Sequence, residues 1–137
     1  MNDCVFCKIV NGLIPSAKVH EDALTLAFMD IGEVNPGHVL VAVKPHVENI
    51  FGLDDTLAAA VFQTAAHVAR AVKKAYAPEG VTLYQANGSA AGQTVYHFHL
   101  HLVPRYDNDG MRLVWPANNP PREQLAANAA KLRAVLE

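Results

Sequence analysis

The segment Tyr96-His97-Phe98-His99-Leu100-His101-Leu102-Val103 alternates between bulky apolar residues and histidine. A period of two marks a strand with unlike faces, because successive strand side chains point to opposite sides. Tyr96, Phe98, Leu100 and Leu102 then form an apolar face, and His97, His99 and His101 line the other. The fold must therefore contain a sheet with one face packed as core and the other lined with imidazoles. Same-face neighbours lie about 6.6 Å apart, so the row spans about 13 Å. One tetrahedral ion with bonds of about 2 Å does not gather three imidazoles over that distance. A row of imidazoles instead fits a catalytic surface, since histidine titrates near neutrality and its neutral ring is a competent nucleophile.

The rest of the chain supplies the partners of that strand. Ala17 to His20 and Leu24 to Met29 read as strands around a turn at Glu21-Asp22. His38 to Lys44 is β-branched and apolar, a buried strand ended by Pro45. Val81 to Gln85 is a further strand. Val5 to Val10 is a short helix or an irregular lead-in. The clearest helix runs from Asp54, its N-cap, to about Tyr76, with Leu57, Val61, Ala65, Val68 and Val72 at helical spacing. Pro120 and Pro121 open a last helix carrying Leu125, Ala129, Leu132 and Leu136 on one face. Five strands, one long helix and a C-terminal helix predict an α+β fold around a mostly antiparallel sheet. No linker or repeat divides residues 1–137, and 137 residues suffice for one domain with its own core.

A formal charge of −2 offers no basic field, which excludes nucleic-acid polymers as expected partners. No apolar run reaches membrane-spanning length, and Met1 to Lys8 lacks the basic and apolar regions of a signal peptide. A cytoplasmic location is the expectation.

The loop before the histidine strand, Asn87-Gly88-Ser89-Ala90-Ala91-Gly92-Gln93-Thr94, is dense in small residues that let a ligand approach the backbone. Its N–H groups, with Gln93 and Thr94 as neutral donors, suit phosphate oxygens. Cys4-x-x-Cys7 admits three readings: a redox pair without the usual α/β context, two incidental thiols, or half of a structural metal site. Of the seven histidines, His20 reads as a strand-end surface residue and His67, between Ala66 and Val68, as a structural one.

His97-Phe98-His99-Leu100-His101-Leu102-Val103 resembles the signature of the histidine triad family of nucleotide-binding proteins. Asn87-Gly88, Ala91-Gly92-Gln93, Ala27-Phe28-Met29-Asp30-Ile31 and Pro36-Gly37-His38 are similar to the family as well, and the likeness runs from Cys4 to Trp115. It is strongest to the small dimeric phosphoramidases. Hexose-1-phosphate nucleotidyltransferases of the family typically carry glutamine where His101 stands.

The resemblance implies a HIT-like fold and hydrolysis of nucleoside 5′-phosphoramidates or related conjugates at the α-phosphate. His99 would form a covalent nucleotidyl intermediate, and water would release the nucleoside monophosphate. It further implies that His101 and His38 orient the phosphate, helped by Gly92, Gln93 and Thr94. Asp30 would bond ribose hydroxyls, Phe28 and Ile31 would line the nucleoside pocket, and Asn87 would lie on the phosphate or ribose side. Thr94 departs mildly from the family's usual serine. The implied partners are a purine nucleotide and a second copy of the chain, whose site Trp115 would reach. For the cysteine pair, the resemblance supplies His46 and His97 as two more ligands of a structural zinc, with no organic cofactor. Dinucleoside polyphosphate hydrolysis and a nucleotide-binding scaffold remain the alternatives.

Overall fold

The computed structural model describes residues 3–137; the first two positions of the Met1–Lys8 segment lie outside the described residues. In chain order the elements are α1 (Val5–Val10), β1 (Lys18–Glu21), β2 (Thr25–Met29), β3 (Val39–Val43), α2 (Asp55–Tyr76), β4 (Gly80–Tyr84), β5 (His99–Arg105) and α3 (Arg122–Arg133). The five strands form one sheet in the order β1-β2-β3-β5-β4, antiparallel at every pairing. This is the expected α+β architecture.

β3 lies at the centre and all five of its residues are buried. Its two faces meet two different layers. Val39, Val41 and Val43, with Ala27, Phe98, Leu100 and Leu102, pack against Leu57, Val61, Ala65, Val68 and Val72 of α2. Leu40 and Ala42, with Leu26 and Phe28, pack against Phe6 and Ile9 of α1. α2 starts where the sequence places it, because the Asp54 carboxylate accepts the Leu57 N–H at 2.8 Å. It ends at Ala77, which adopts a left-handed conformation immediately before Pro78.

Three expectations need correction. β5 begins at His99, three residues beyond the alternating start, so Tyr96, His97 and Phe98 are not strand residues. The Phe98 N–H donates to the Val47 carbonyl at 2.6 Å, which bends the chain ahead of the strand. Tyr96 is exposed, and His97 folds into the interior. The C-terminal helix forms, but none of its residues is buried, and Leu136 lies beyond its end. Among the described residues, its apolar side chains Leu125 and Leu132 stay exposed. His67 is exposed on α2, where it meets His20 edge-on at 5.4 Å. It has no role in the core.

Candidate active site and metal cluster

The register of β5 decides which histidines meet. His101 pairs with Leu40 and His99 with Ala42, so both lie on the α1 side of the sheet. His38 immediately precedes β3 and is 1% exposed. It follows Gly37, whose φ of +94° and tight packing against Tyr76 leave no room for a Cβ.

The hydrogen bonds fix each imidazole in one protonation pattern. The Val34 N–H donates to His38 Nδ1 at 3.1 Å, so a neutral His38 carries its proton on Nε2. That Nε2 lies 3.0 Å from His101 Nδ1 and 3.3 Å from Asp30 Oδ2. His101 Nδ1 thus accepts, which puts its proton on Nε2. His99 Nδ1–H donates to the His97 carbonyl at 2.6 Å, which leaves a lone pair on His99 Nε2. The rings of His99 and His101 are 5.1 Å apart. The pair thus offers one bare nitrogen and one N–H donor.

Burial keeps these rings neutral. It lowers the affinity of His99 for a proton against the opposing pull of the His97 carbonyl and Asp30. It does the same to His38. His101 is pushed down to about 4 by burial and by the neighbouring His99 and His38. Below pH 6.5 an unfolded His101 takes up a proton that the folded one resists, so stability must fall as pH drops from 6.5 toward about 4. One such group contributes a slope of at most about 1.4 kcal/mol per pH unit. Urea midpoints at pH 7, 6 and 5 should therefore decline more gently for His101→Gln than for the parent. Equal slopes would remove His101 from the account.

Two cavities meet at these histidines. The larger, about 510 Å³, is mainly apolar and is lined by Phe6, Ile9, Phe28, Leu40 and Val95, with Asp30 and Ser16 as polar groups. Ile31 stands fully exposed at its rim. The smaller, about 250 Å³, is lined by Tyr84, Ala86, Gly92 and Gln93. His99, His101 and Thr94 border both.

The loop from Asn87 to Thr94 is built differently from the sequence expectation. The N–H groups of Gly88, Ala91, Gly92 and Gln93 are spent inside it, Gly88 on the Gln93 side chain at 2.7 Å. The Gln93 amide also donates to the Glu48 carbonyl, so its side chain braces the loop. Asn87 accepts the Ile50 N–H at 2.7 Å and borders neither cavity. Among the described residues, the Thr94 hydroxyl and N–H take no protein partner. Asp30 spends Oδ1 on the Gly32 N–H at 2.8 Å and turns Oδ2 toward His38.

Sequence reasoning missed two rings. Tyr84 stacks on His101 at 4.0 Å and 8°, and Phe6 meets His99 edge-on at 4.8 Å and 76°. The cross-strand pairing of Tyr84 with His101 is a signal that only the β4–β5 register reveals.

The cysteines and the remaining two histidines converge on a separate point. The ligand atoms of Cys4, Cys7, His46 and His97 all lie within 4.8 Å of one another. Cys4 Sγ is 3.3 Å and Cys7 Sγ 3.5 Å from His97 Nδ1, and Cys7 Sγ is 3.3 Å from His46 Nδ1. Tetrahedral zinc with ordinary bond lengths needs sulfur-to-nitrogen separations of about 3.6 Å. His97 is wholly buried, and its Nε2–H donates to the Val43 carbonyl at 2.6 Å, which turns a bare Nδ1 toward the thiols. The donor set fits a closed metal site, and the thiols are free of any disulfide.

Residues 11–108 match the model of the HIT domain. The chain belongs to the HIT domain family. Among HIT relatives, the adenosine 5′-monophosphoramidase hnt1 of Schizosaccharomyces pombe is 38% identical over 98% of both chains. The crystal structure of a HIT family protein from Bacillus anthracis superposes with a TM-score of 0.95 at 42% identity, covering 99% of each chain. A Zn-bound histidine triad family protein from Mycobacterium smegmatis superposes at 0.77 with 33% identity, covering 97% of each. Among the described residues of this HIT chain, no helix is long and apolar enough to cross a membrane.

Proposed function

We propose that this chain hydrolyses nucleoside 5′-phosphoramidates or related nucleotidyl conjugates at the α-phosphate, with His99 as nucleophile. The observation that carries this reading is the His99 ring, whose Nδ1–H is bound to the His97 carbonyl so that Nε2 is bare beside the His101 N–H donor. The likeness to a yeast adenosine 5′-monophosphoramidase supports the same substrate class.

The apolar cavity takes the purine nucleoside, with Phe28 and Ile31 at its wall and rim and Asp30 within reach of ribose hydroxyls. The smaller cavity takes the leaving group. His99 Nε2 attacks phosphorus as the bond to the amine breaks, and the amine departs with a proton drawn from solvent. Water then cleaves the phosphorus–nitrogen bond to His99 and releases the monophosphate. Two displacements replace one harder one. His101 Nε2–H and Thr94 bond the phosphate oxygens as charge develops. His38, buried with both nitrogens engaged, acts on the phosphate through His101. Gln93, Gly92 and Asn87 hold the loop that shapes the smaller cavity.

Cys4, Cys7, His46 and His97 would hold zinc, which would lock the N-terminal segment to the strand region and take no part in the chemistry. Thiols kept as ligands suit the reducing cytoplasm. A homodimer is supported by the apolar side chains left open at the β4 edge, Val81 and Leu83, and by Phe62 on α2. Sedimentation should give twice the 14.8 kDa chain mass, and a monomer at tens of micromolar would remove the dimer.

The deciding experiment is rapid quench with labelled adenosine 5′-phosphoramidate. Adenylate release and acid-labile label on one histidine are expected. A panel including dinucleoside polyphosphates fixes the preferred leaving group, and no release from any member overturns the reading.

A further inference from the structure

α1 is six residues long, well short of what holds a helix together on its own. Its attachments are specific. Cys4 caps it, accepting the Cys7 N–H at 3.3 Å, and both thiols face His97. Between them in sequence stands Phe6, buried, whose ring meets three others: Phe28 at 5.3 Å and 88°, His99 at 4.8 Å and 76°, and His97 at 6.0 Å and 63°.

The His99 ring is thus held from two sides, by the His97 carbonyl on Nδ1 and by Phe6 against its edge or face. Both supports lead to one place. His97 offers Nδ1 to the metal cluster and its carbonyl to His99, while Phe6 is carried by the helix that Cys4 and Cys7 anchor. The geometry points to Phe6 as a positioning residue for His99, with the Cys4, Cys7, His46 and His97 cluster setting how firmly that ring is held when it contains metal.

This inference rests on the zinc reading and on His99 as nucleophile. Its physical basis is orientation. An imidazole can turn about its side-chain bonds, and attack at phosphorus needs Nε2 aligned, so a loosened ring loses rate and not affinity. The cluster would make metal occupancy a determinant of turnover from outside the reacting groups.

The primary readout needs no substrate. The full chain, labelled with nitrogen-15 in its imidazoles and loaded with zinc chloride, should show the His99 Nδ1–H as a sharp, slowly exchanging signal. Phe6→Leu, which keeps an apolar wall for the cavity, should broaden that signal at unchanged zinc content and unchanged far-ultraviolet circular dichroism. Chelation of the parent should do the same, with the His38 Nε2–H signal as the internal reference.

In turnover of the adenosine phosphoramidate, Phe6→Leu should lower kcat roughly tenfold, separately from any change in KM that the altered wall of the nucleoside cavity brings. A His99 signal untouched by both perturbations overturns the inference, as does a rise in KM at constant kcat. Sensitivity to Phe6→Leu but not to chelation, or a parent that takes up no zinc, overturns the role of the metal alone. A protein inert toward every nucleotide overturns the proposed function and leaves the spectroscopic comparison to decide this one.

Discussion

Replacing His99 by alanine is expected to lower adenylate release at least about 10³-fold and to abolish label on the protein. The reason lies in what the ring supplies. Among the site's imidazoles, His99 has Nδ1 committed as a donor to the His97 carbonyl at 2.6 Å, leaving Nε2 as a bare nitrogen. His38 has both nitrogens engaged, and His101 Nδ1 accepts from His38 at 3.0 Å. No neighbour therefore stands ready to replace the nucleophile. Removal of a covalent nucleophile leaves only binding and electrostatic stabilisation, which explains the size of the loss. Measured kcat/KM for parent and variant on the same phosphoramidate checks it. A variant within tenfold of the parent would show that water attacks directly and that His99 is not the nucleophile. His38→Ala should cost less, since its effect passes through the tautomer of His101.

Stripping metal from the cluster is expected to lower the thermal midpoint by roughly 10 °C. A ligand bound only by the folded state adds about 2.7 kcal/mol of stability at a hundredfold excess over its dissociation constant. For a chain of this length that converts at about 3–4 °C per kilocalorie. The loss should be local first, because α1 has little besides the two thiols and the buried Phe6 and Ile9 to hold it. Calorimetry before and after chelation, with elemental analysis of the freshly purified protein, measures it. Cys7→Ser should reproduce the chelated midpoint and be indifferent to chelator. A metal-free preparation whose midpoint ignores added zinc removes the proposed zinc site.

Much of the fold was legible in the chain because its signals are local. The Asp54 cap and the Leu57–Val72 spacing specify α2, and the β-branched run before Pro45 specifies β3, whatever lies around them. The face of β5 was legible too: Leu100 and Leu102 do meet α2, and His99 and His101 do point the other way. The C-terminal helix shows the limit of such signals. Its pattern formed a helix but not a packing partner, since amphipathicity says that a face can be buried and not what will bury it.

The candidate site divides along the same line. The residue types and their alternation, determined by the sequence alone, separated the histidines from the core and, with the resemblance, distributed them between chemistry and metal. Tertiary structure decided their protonation patterns and their neighbours. The bend at Phe98 takes His97 out of the strand and turns its Nδ1 to the thiols, while its carbonyl remains beside His99. The Val34 N–H sets His38, and His38 sets His101. Tyr84 and Phe6 reach the imidazoles only through strand register and the docking of α1. A sequence fixes which groups a chain carries and how they alternate. Which nitrogen holds a proton depends on partners tens of residues away, and only the folded chain brings them within hydrogen-bonding distance.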